Sequence, residues 1–426
     1  MQEGLKTRYT IHTILRTLRA DTIGFDEVFL EKVIKKNFKD SDRKMIHSVV
    51  LNAMRYHLFI DEIIKKFSTK LNKSSESYYL LLSAITQLLI LNFKDFAVIN
   101  STVELAKNKG INAPEKFINA VLRNINRNKS KLSKINYNFL SLPLWFTEKV
   151  SYWNKIQKNE FTKTICEEPD LHIVFKNKKD LNKITSKKIQ TSNHSIVIKK
   201  SITINKIEGY NEGLWWVQDF ATMLPLYLIN NTKNKYIADI CAAPGGKTFQ
   251  LLSYGAKVKA IDKNFKRIEL MKKNLHRLKY NCEIENTDFL KFNKKQKYDM
   301  IVLDAPCSSI GTIRRHPEIF FRKTIPNFKK IRLIQKQLLD KAKSLIKENG
   351  FIIYMICSFF HEEGIIQIKN FLKENKNFCQ IKFSSNKLKY TKNLIDEKGF
   401  YYVIPSKLDN HVLIDGFFAA ILKKNV

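Results

Sequence analysis

The sequence predicts an α/β protein: a mainly parallel sheet with helices on both faces, preceded by an all-α domain and a small α+β subdomain. Three observations carry that prediction. Apolar residues recur at spacings of three and four from Leu5 to Arg127, the period of helices packed by one face. From Tyr236 onward, short apolar runs alternate with helical patterns through short links, which is how parallel strands are joined. At Pro244-Gly245-Gly246 one of those runs enters a tight turn, and a helical pattern (Thr248, Leu251, Leu252) follows at once.

The helical stretch shows its faces in turn. Ile11, Ile14, Leu15 and Leu18, then Leu30, Val33 and Ile34, then Ile46, Val49, Val50, Ala53 and Met54, then Leu81, Leu82, Ile85, Leu88 and Leu89 belong to about six or seven helices. Asp26, Asp40-Ser41, Asp61 and Asp95 stand where N-caps belong, Gly110 closes one helix and Pro114 opens another. Asn126 to Asn138 is rich in Lys, Asn and Ser with little apolar content, and it marks the domain boundary. Leu142 to Trp145 begins a short helical segment, and His172 to Phe175 and Ser195 to Ile198 are brief strands in a Lys-rich region. Gly213 to Asp219 leads into a helix over Phe220 to Ile229.

Beyond it we expect a strand at Tyr236–Cys241, a helix, a strand at Val258–Asp262, a helix at Asn264–Leu278, and strands at Cys282–Asp288 and Met300–Asp304. A helix at Pro326–Lys347, a strand at Phe351–Cys357 and a helix at Glu362–Lys373 follow. The last strands, Tyr401–Ile404 and Gly416–Leu422, have no helix between them and are expected to form an antiparallel edge hairpin. The corresponding domains are 1–130 (all-α), 140–212 (small α+β) and 213–426 (α/β), since 426 residues exceed what one core normally serves.

Composition narrows the classes of function. Apolar residues at 44% are ample for globular cores. Lys and Arg number 75 against 40 Asp and Glu, a formal charge of +35. That excess favours a polyanionic partner through counterion release, and an AT-rich genome that inflates Lys and Asn raises the same number. The six cysteines, at 166, 241, 282, 307, 357 and 379, include no Cys-x-x-Cys pair, so neither a zinc site nor a disulfide framework is indicated. A reducing cytoplasm is the expected compartment, with no metal. Met1 to Arg19 is amphipathic, and no apolar run approaches the roughly 18 residues of a spanning helix, so a soluble, unexported protein without membrane contact is expected.

The glycine turn reads Ala238-Asp239-Ile240-Cys241-Ala242-Ala243-Pro244-Gly245-Gly246-Lys247-Thr248. Paired glycines let the backbone approach a ligand, and the free N–H groups of the new helix face whatever sits above the strand. A plain strand-to-helix turn is the other reading. Two partners downstream weigh against it. Val258 to Asp262 is a second strand ending on an acid, where such folds hold a ribose hydroxyl. Asp299 to Cys307 is a buried strand ending on a carboxylate and a thiol. There is no Gly-x-Gly-x-x-Gly and no P-loop spacing, which weighs against a dinucleotide or a nucleoside triphosphate. The stretch reads as a nucleotide-type cofactor site with reactive groups beside it.

The turn Cys241 to Lys247, the strand end Asp304-Ala305-Pro306-Cys307-Ser308 and Tyr354-Met355-Ile356-Cys357-Ser358 resemble the RNA cytosine-5 methyltransferases that use S-adenosyl-L-methionine. The resemblance extends over nearly the whole chain to the Sun/Fmu family, the bacterial branch with a NusB-like front domain that acts on 16S ribosomal RNA. It implies a Rossmann-like methyltransferase sheet and a cofactor site made of Cys241, Ala242, Ala243, Pro244, Gly245, Gly246, Lys247, Asp262, Asp288 and Asp304. Gly245-Gly246-Lys247 can receive the methionine carboxylate, Asp262 the ribose hydroxyls and Asp288 the adenine amine; alone, Asp288 reads equally as a helix cap. RNA is the expected partner and a monomer the expected state.

Cytosine carbon 5 is a poor nucleophile, so its methylation requires prior addition at carbon 6, for which a thiolate is the natural agent. A single strand cysteine is by default an inert small hydrophobe, but Cys307 and Cys357 close two strands that would be neighbours, each followed by Ser. The resemblance assigns Cys357 as the nucleophile and Cys307 as the helper in proton loss and enzyme release. Asp304 would donate to or share a proton with ring nitrogen 3, which requires a raised pKa. Arg314, Arg315 and His316 end a loop after Cys307 and read as substrate contacts or as a solvated surface; Asn119 and Arg123 lie on the helix similar to the closing helix of NusB-like domains, an RNA contact or a structural cap.

Three departures stand out. The family's Thr-Cys-Ser reads Ile356-Cys357-Ser358, its Glu-Asn reads Glu363-Gly364, and its Arg-Val-Asn reads His172-Ile173-Val174. The first implies a change of packing or of thiol activation, and the last puts an RNA contact in doubt. Transfer RNA is the alternative substrate, discriminated by the helical front domain. A non-catalytic RNA-binding factor is a second alternative, against which Asp304, Cys307 and Cys357 stand. An amino-group methyltransferase is a third, but that chemistry has no use for paired thiols.

Overall fold

The structure, a computed structural model, describes residues 3–21, 23–132, 142–199, 203–229, 231–293, 295–384, 392–408 and 411–425. It comprises two compact units, Met1–Glu167 with Ile313–Ile325, and Glu168–Thr312 with Pro326–Val426.

The first unit is helical: α1 (Glu3–Ala20), α2 (Phe25–Phe29), α3 (Asp40–Phe67), α4 (Glu76–Ile85), α5 (Asp95–Ala106), α6 (Glu115–Arg127), α7 (Lys129–Leu132), α8 (Leu144–Lys149) and α9 (Lys155–Thr164). Their buried faces are the periodic ones: Ile11, Ile14, Leu15, Leu18, Val49, Val50, Leu81, Leu82, Leu88, Ile118 and Leu122 share one core. Pro114 caps α6 and Ser75 caps α4, its hydroxyl accepting from the Tyr78 N–H. Asp40 and Asp95 lie one position inside their helices, in the first turn, where a carboxylate still favours the helix dipole. Asp61 is no cap. The helix α3 runs unbroken through it, and its buried carboxylate accepts from Tyr78 Oη at 2.9 Å and pairs with Lys73. A side chain partner from another helix has replaced the backbone N–H that a cap would satisfy.

The expected break at 126–138 falls inside this unit, which continues through α8 and α9 to Glu167; residues 133–138 of that stretch lie outside the described residues. A second addition is the segment Ile313–Ile325. Phe321 is fully buried in the helical core, its carbonyl accepts from Arg19 Nη1 at 2.7 Å, and His57 meets its ring edge-on at 5.3 Å. Burying a Phe side chain stabilises by roughly 1.5–3 kcal/mol, enough to hold a short segment.

The second unit opens with a small antiparallel sheet of β1 (Leu171–Phe175), β2 (Ile189–Ser192), β3 (Ser195–Ile198) and β4 (Trp215–Val217), in the order β2-β3-β1-β4. The main sheet follows: α10 (Phe220–Ile229), β5 (Tyr236–Ile240), α11 (Gly246–Ser253), β6 (Lys257–Asp262), α12 (Phe265–Arg277), β7 (Glu283–Asn286) and β8 (Tyr298–Asp304). After the short helix α13 (Glu318–Phe321) in the first unit come α14 (Phe328–Leu345), β9 (Ile346–Ile356), α15 (Ile365–Glu374), β10 (Phe378–Ile381), β11 (Tyr401–Val403), β12 (Ser406–Lys407), β13 (Leu413–Ile414) and β14 (Phe417–Lys424).

The sheet order is β10-β14-β9-β8-β5-β6-β7, with β11 also on β14. Strands β5 to β9 run parallel, and β5 and β8 are buried along nearly their whole length, as strands covered on both faces must be. The chain winds outward in opposite directions from β5 and β8, so the crevice beyond their carboxyl ends is the topological switch point.

The closing antiparallel pair lies at one edge of the sheet, with β11 as an edge strand and β14 next to it. Antiparallel β14 lies inside the sheet, between β9 and two short strands in series, β11 and β10. Its sequence, Phe417-Phe418-Ala419-Ala420-Ile421-Leu422, is buried on both faces, the pattern of an interior strand. The strand β10 has no counterpart in the sequence-based expectation, because of its four residues only Phe378 is buried and so short a run carries little signal. Among the described residues no helix is long and apolar enough to cross a membrane.

Candidate active site

The carboxyl ends of β5, β6 and β8 and the end of β9 converge at the switch point. The chain leaves β5 at Cys241 with φ +60, and the Cys241 and Ala242 N–H groups donate to the Ile261 carbonyl at 2.9 and 3.2 Å. Gly245, at φ +113, caps α11, and a Cβ there would lie 2.3 Å from the Phe249 ring, so only glycine fits. The first N–H groups of α11, from Gly246 on, are thereby aimed across the strand ends. Gln218 packs beside Gly246 and donates to Gln250 Oε1 at 3.1 Å, which ties the Gln-Asp segment to the same helix.

Asp262 is fixed by the turn itself: Oδ2 accepts from the Ala243 N–H at 3.0 Å and Oδ1 from the Asn264 N–H at 2.7 Å. Each oxygen keeps a lone pair for a hydroxyl donor. Asp288 caps a 3-10 turn, accepting from the Leu290 N–H at 3.0 Å with Oδ1, and its Oδ2 lies 3.9 Å from Lys263. The cap reading of Asp288 is thus the one seen here. Cys241, though in the turn, is no nucleophile: burial, reinforced by Asp304 and Asp262, pushes its thiol up to about 12.

Lys247 turns from α11 toward β8, and Nζ donates to Asp304 Oδ2 at 2.7 Å. Burial works to lower this ammonium, the Asp304 carboxylate works to raise it, and the balance is upward. Asp304, to which the resemblance gives a proton shared with ring nitrogen 3, thus has a cation on one of its oxygens.

Strands β8 and β9 are parallel neighbours, and their ends bring Cys307 and Cys357 together with Sγ atoms 3.2 Å apart. Both are reduced and half-buried. The Cys307 S–H, hydrogen-bonded to Cys357, pulls the Cys357 thiol below its ordinary value, against burial and Asp304 and with help from Ser309 and Lys247. The same bond, with burial, holds the Cys307 thiol far above it. Of the two, Cys357 is the thiol eased toward thiolate. Ser309 Oγ stands 3.5 Å from its sulfur, on a residue at φ +58. The loop reaches this position because Gly311 lies against bare backbone: its N–H donates to the Cys357 carbonyl at 3.0 Å, and a Cβ there would meet Gly416 O at 2.0 Å.

The departures have local causes. Ile356 is fully buried and pairs with Phe418 of β14, so it serves packing. Gly364 has the Phe418 ring 2.9 Å from where a Cβ would sit. His172 is buried, with Nδ1 accepting from the Phe220 N–H at 3.0 Å and Nε2 donating to the Leu413 carbonyl at 3.0 Å, so it is a strut inside the unit.

The remaining candidates lie in the helical unit. Arg314 is fully buried there, its carbonyl accepting from Arg55 Nη2 at 3.1 Å, so this side chain is not the loop cation that the sequence reading offered to RNA. Arg315 is half-buried and His316 is 43% exposed, 3.4 Å from Glu318. Asn119 and Arg123 bond one another at 3.0 Å on α6 and line a groove of about 550 Å³ with Arg8, Asn100 and Lys107. Sequence reasoning missed Ser309, whose only signal is the serine pair after Cys307, and Glu363, noted only for the glycine that follows it.

Residues 226–423 match the model of the 16S rRNA methyltransferase RsmB/F family, and residues 6–127 that of the NusB family. The ribosomal RNA small subunit methyltransferase B of Proteus mirabilis is 26% identical over 429 residues, covering 95% of this chain and all of the relative. The crystal structure of PH0851 superposes over 99% of both chains with a TM-score of 0.73 at 20% identity. That of NSun6 from Pyrococcus horikoshii with SFG covers 66% of this chain and 98% of the other, with a TM-score of 0.55 at 17% identity.

Proposed function

The 226–423 segment of this chain belongs to the 16S rRNA methyltransferase RsmB/F family and its 6–127 segment to the NusB family, and from that premise we propose that the protein methylates carbon 5 of a cytosine in small-subunit ribosomal RNA. The observation that carries the reading is the pair of thiols 3.2 Å apart at adjacent strand ends, one depressed and one raised, beside a Lys247–Asp304 ion pair. Amino-group methylation needs no such pair.

The donor set fits an S-adenosyl-L-methionine site: helix N–H groups for a carboxylate, Asp262 for hydroxyls, the Asp288 carboxyl for an amine. When bound, S-adenosylmethionine supplies an electrophilic methyl group.

The Cys357 thiolate adds to ring carbon 6, so the carbon 5–carbon 6 double bond gives way to an enamine nucleophilic at carbon 5. The Lys247–Asp304 pair offsets the charge that this addition places on the ring. Once carbon 5 is methylated, its proton must leave. Once the Cys357 sulfur is bound to carbon 6 it no longer holds the Cys307 S–H, so Cys307 can release that proton to solvent and, as thiolate, take the carbon 5 proton. The double bond then re-forms and the Cys357 sulfur is expelled as thiolate. The test is bisulfite mapping of 5-methylcytosine in small-subunit RNA from cells with and without the gene. One cytosine should lose its methyl group in the deletion, and an unchanged map would overturn the proposal.

A further inference from the structure

Behind the two thiols lies a buried carboxylate that the chemistry above does not use. Glu363 is 1% exposed and sits directly before Gly364, the N-cap of α15. Its Oε2 accepts from the Ser308 N–H at 2.8 Å and from Gln335 Nε2 at 3.2 Å; its Oε1 accepts from Ser308 Oγ at 2.5 Å and from Ser358 Oγ at 2.9 Å. Ser308 follows Cys307 and Ser358 follows Cys357. One side chain thus ties together the residues next to both sulfurs. The tie is braced: Gln335 also donates to the Pro306 carbonyl at 3.0 Å, and Tyr354 Oη donates to the Glu363 carbonyl at 2.8 Å.

A buried carboxylate is costly to desolvate and persists only where its acceptors are used. Here all the donors come from the loops bearing the thiols or from the helix behind them. An S–H···S contact has little directional strength of its own, so something else must set its length.

We propose that Glu363 is a positioning residue that holds Cys307 and Cys357 at hydrogen-bonding distance, so that Cys307 activates Cys357. This rests on the thiol chemistry proposed above. Its test needs neither RNA nor methyl transfer. The full chain is alkylated with iodoacetamide across a pH series, the peptides carrying Cys307 and Cys357 are quantified by mass spectrometry, and thermal unfolding is followed alongside.

In the unaltered chain Cys357 should react at lower pH than Cys307 and ~10-fold faster near neutrality, because rate follows thiolate fraction. Glu363→Met fills the space without acceptors, and Ser358→Ala cuts only the limb to Cys357. Both should bring the two rates within about 3-fold and move the Cys357 profile to higher pH. Glu363→Gln should keep the difference, since its oxygen can accept from Ser308 N–H and Gln335 while its NH2 group donates to the two hydroxyls. Wild-type selectivity in a folded Glu363→Met chain overturns the proposal. If that chain does not fold, wild-type selectivity in Ser358→Ala does so, and so does loss of selectivity in Glu363→Gln. A chain with selective thiols but no methyl transfer would instead count against the proposed function.

Discussion

Cys307 and Cys357 lie fifty positions apart in the sequence, and their sulfurs lie 3.2 Å apart in the fold. The hydrogen bond between them makes the two thiols unlike: Cys357 is eased toward thiolate and Cys307 is held as thiol.

Unlike thiols should fail differently when removed. Cys307→Ala should stop the reaction after methyl transfer and leave protein covalently attached to methylated RNA; Cys357→Ala and the double variant should form no adduct. Both single variants would look equally inactive in turnover, so the measurement is a denaturing gel with labelled RNA and cofactor. A retarded band in Cys357→Ala that depends on Cys307 would reverse the roles.

Asp262→Ala should weaken S-adenosylmethionine binding by roughly 1.5–3 kcal/mol, the range for hydrogen bonds to a charged partner. The loss has two sources, the hydroxyl contacts and the Ala243 N–H that the carboxylate holds in place. Calorimetric affinity equal to wild type would remove Asp262 from the site.

Asp239 gives a dependence on pH. Burial pushes its carboxyl up to about 7, opposed by the Thr248 hydroxyl that donates to it at 2.5 Å. A raised acid means that the folded chain binds more protons than the unfolded one between the ordinary Asp range and 7, so stability falls as pH rises through that window, by at most about 1.4 kcal/mol per unit. Asp239→Asn keeps an acceptor for Thr248 and cannot ionise. Its melting temperature should exceed wild type at pH 8, with the gap closing by pH 5; a gap independent of pH would refute the protonated state.

Phe321→Ala should destabilise the helical unit by about 3–5 kcal/mol, the usual cost of deleting a fully buried Phe. Urea unfolding followed by far-ultraviolet circular dichroism would read it. A change below about 1 kcal/mol would mean that the segment 313–325 is peripheral to that core.

Periodicity carried most of the architecture, because helices and strands bury faces that repeat locally. The alternation after Tyr236, the glycine turn at Gly245 and the acids ending β6 and β8 were all legible, since each depends on neighbours a few residues away. Asp61 was not, because α3 continues wherever a partner such as Tyr78 satisfies the carboxylate, and that partner comes from another helix. Nor was the place of 313–325: a loop in sequence became part of the helical core, and burial turned Arg314 from a surface cation into an interior residue. By itself the sequence determined which residues are proposed to carry the chemistry: two thiols, two carboxylates and a lysine. The tertiary structure alone decided the surroundings of each, since the proton affinity of a thiol is set by burial and by groups within a few ångströms, and in this protein the contacts of Lys247 with Asp304 and of Cys307 with Cys357 join distant positions in the chain.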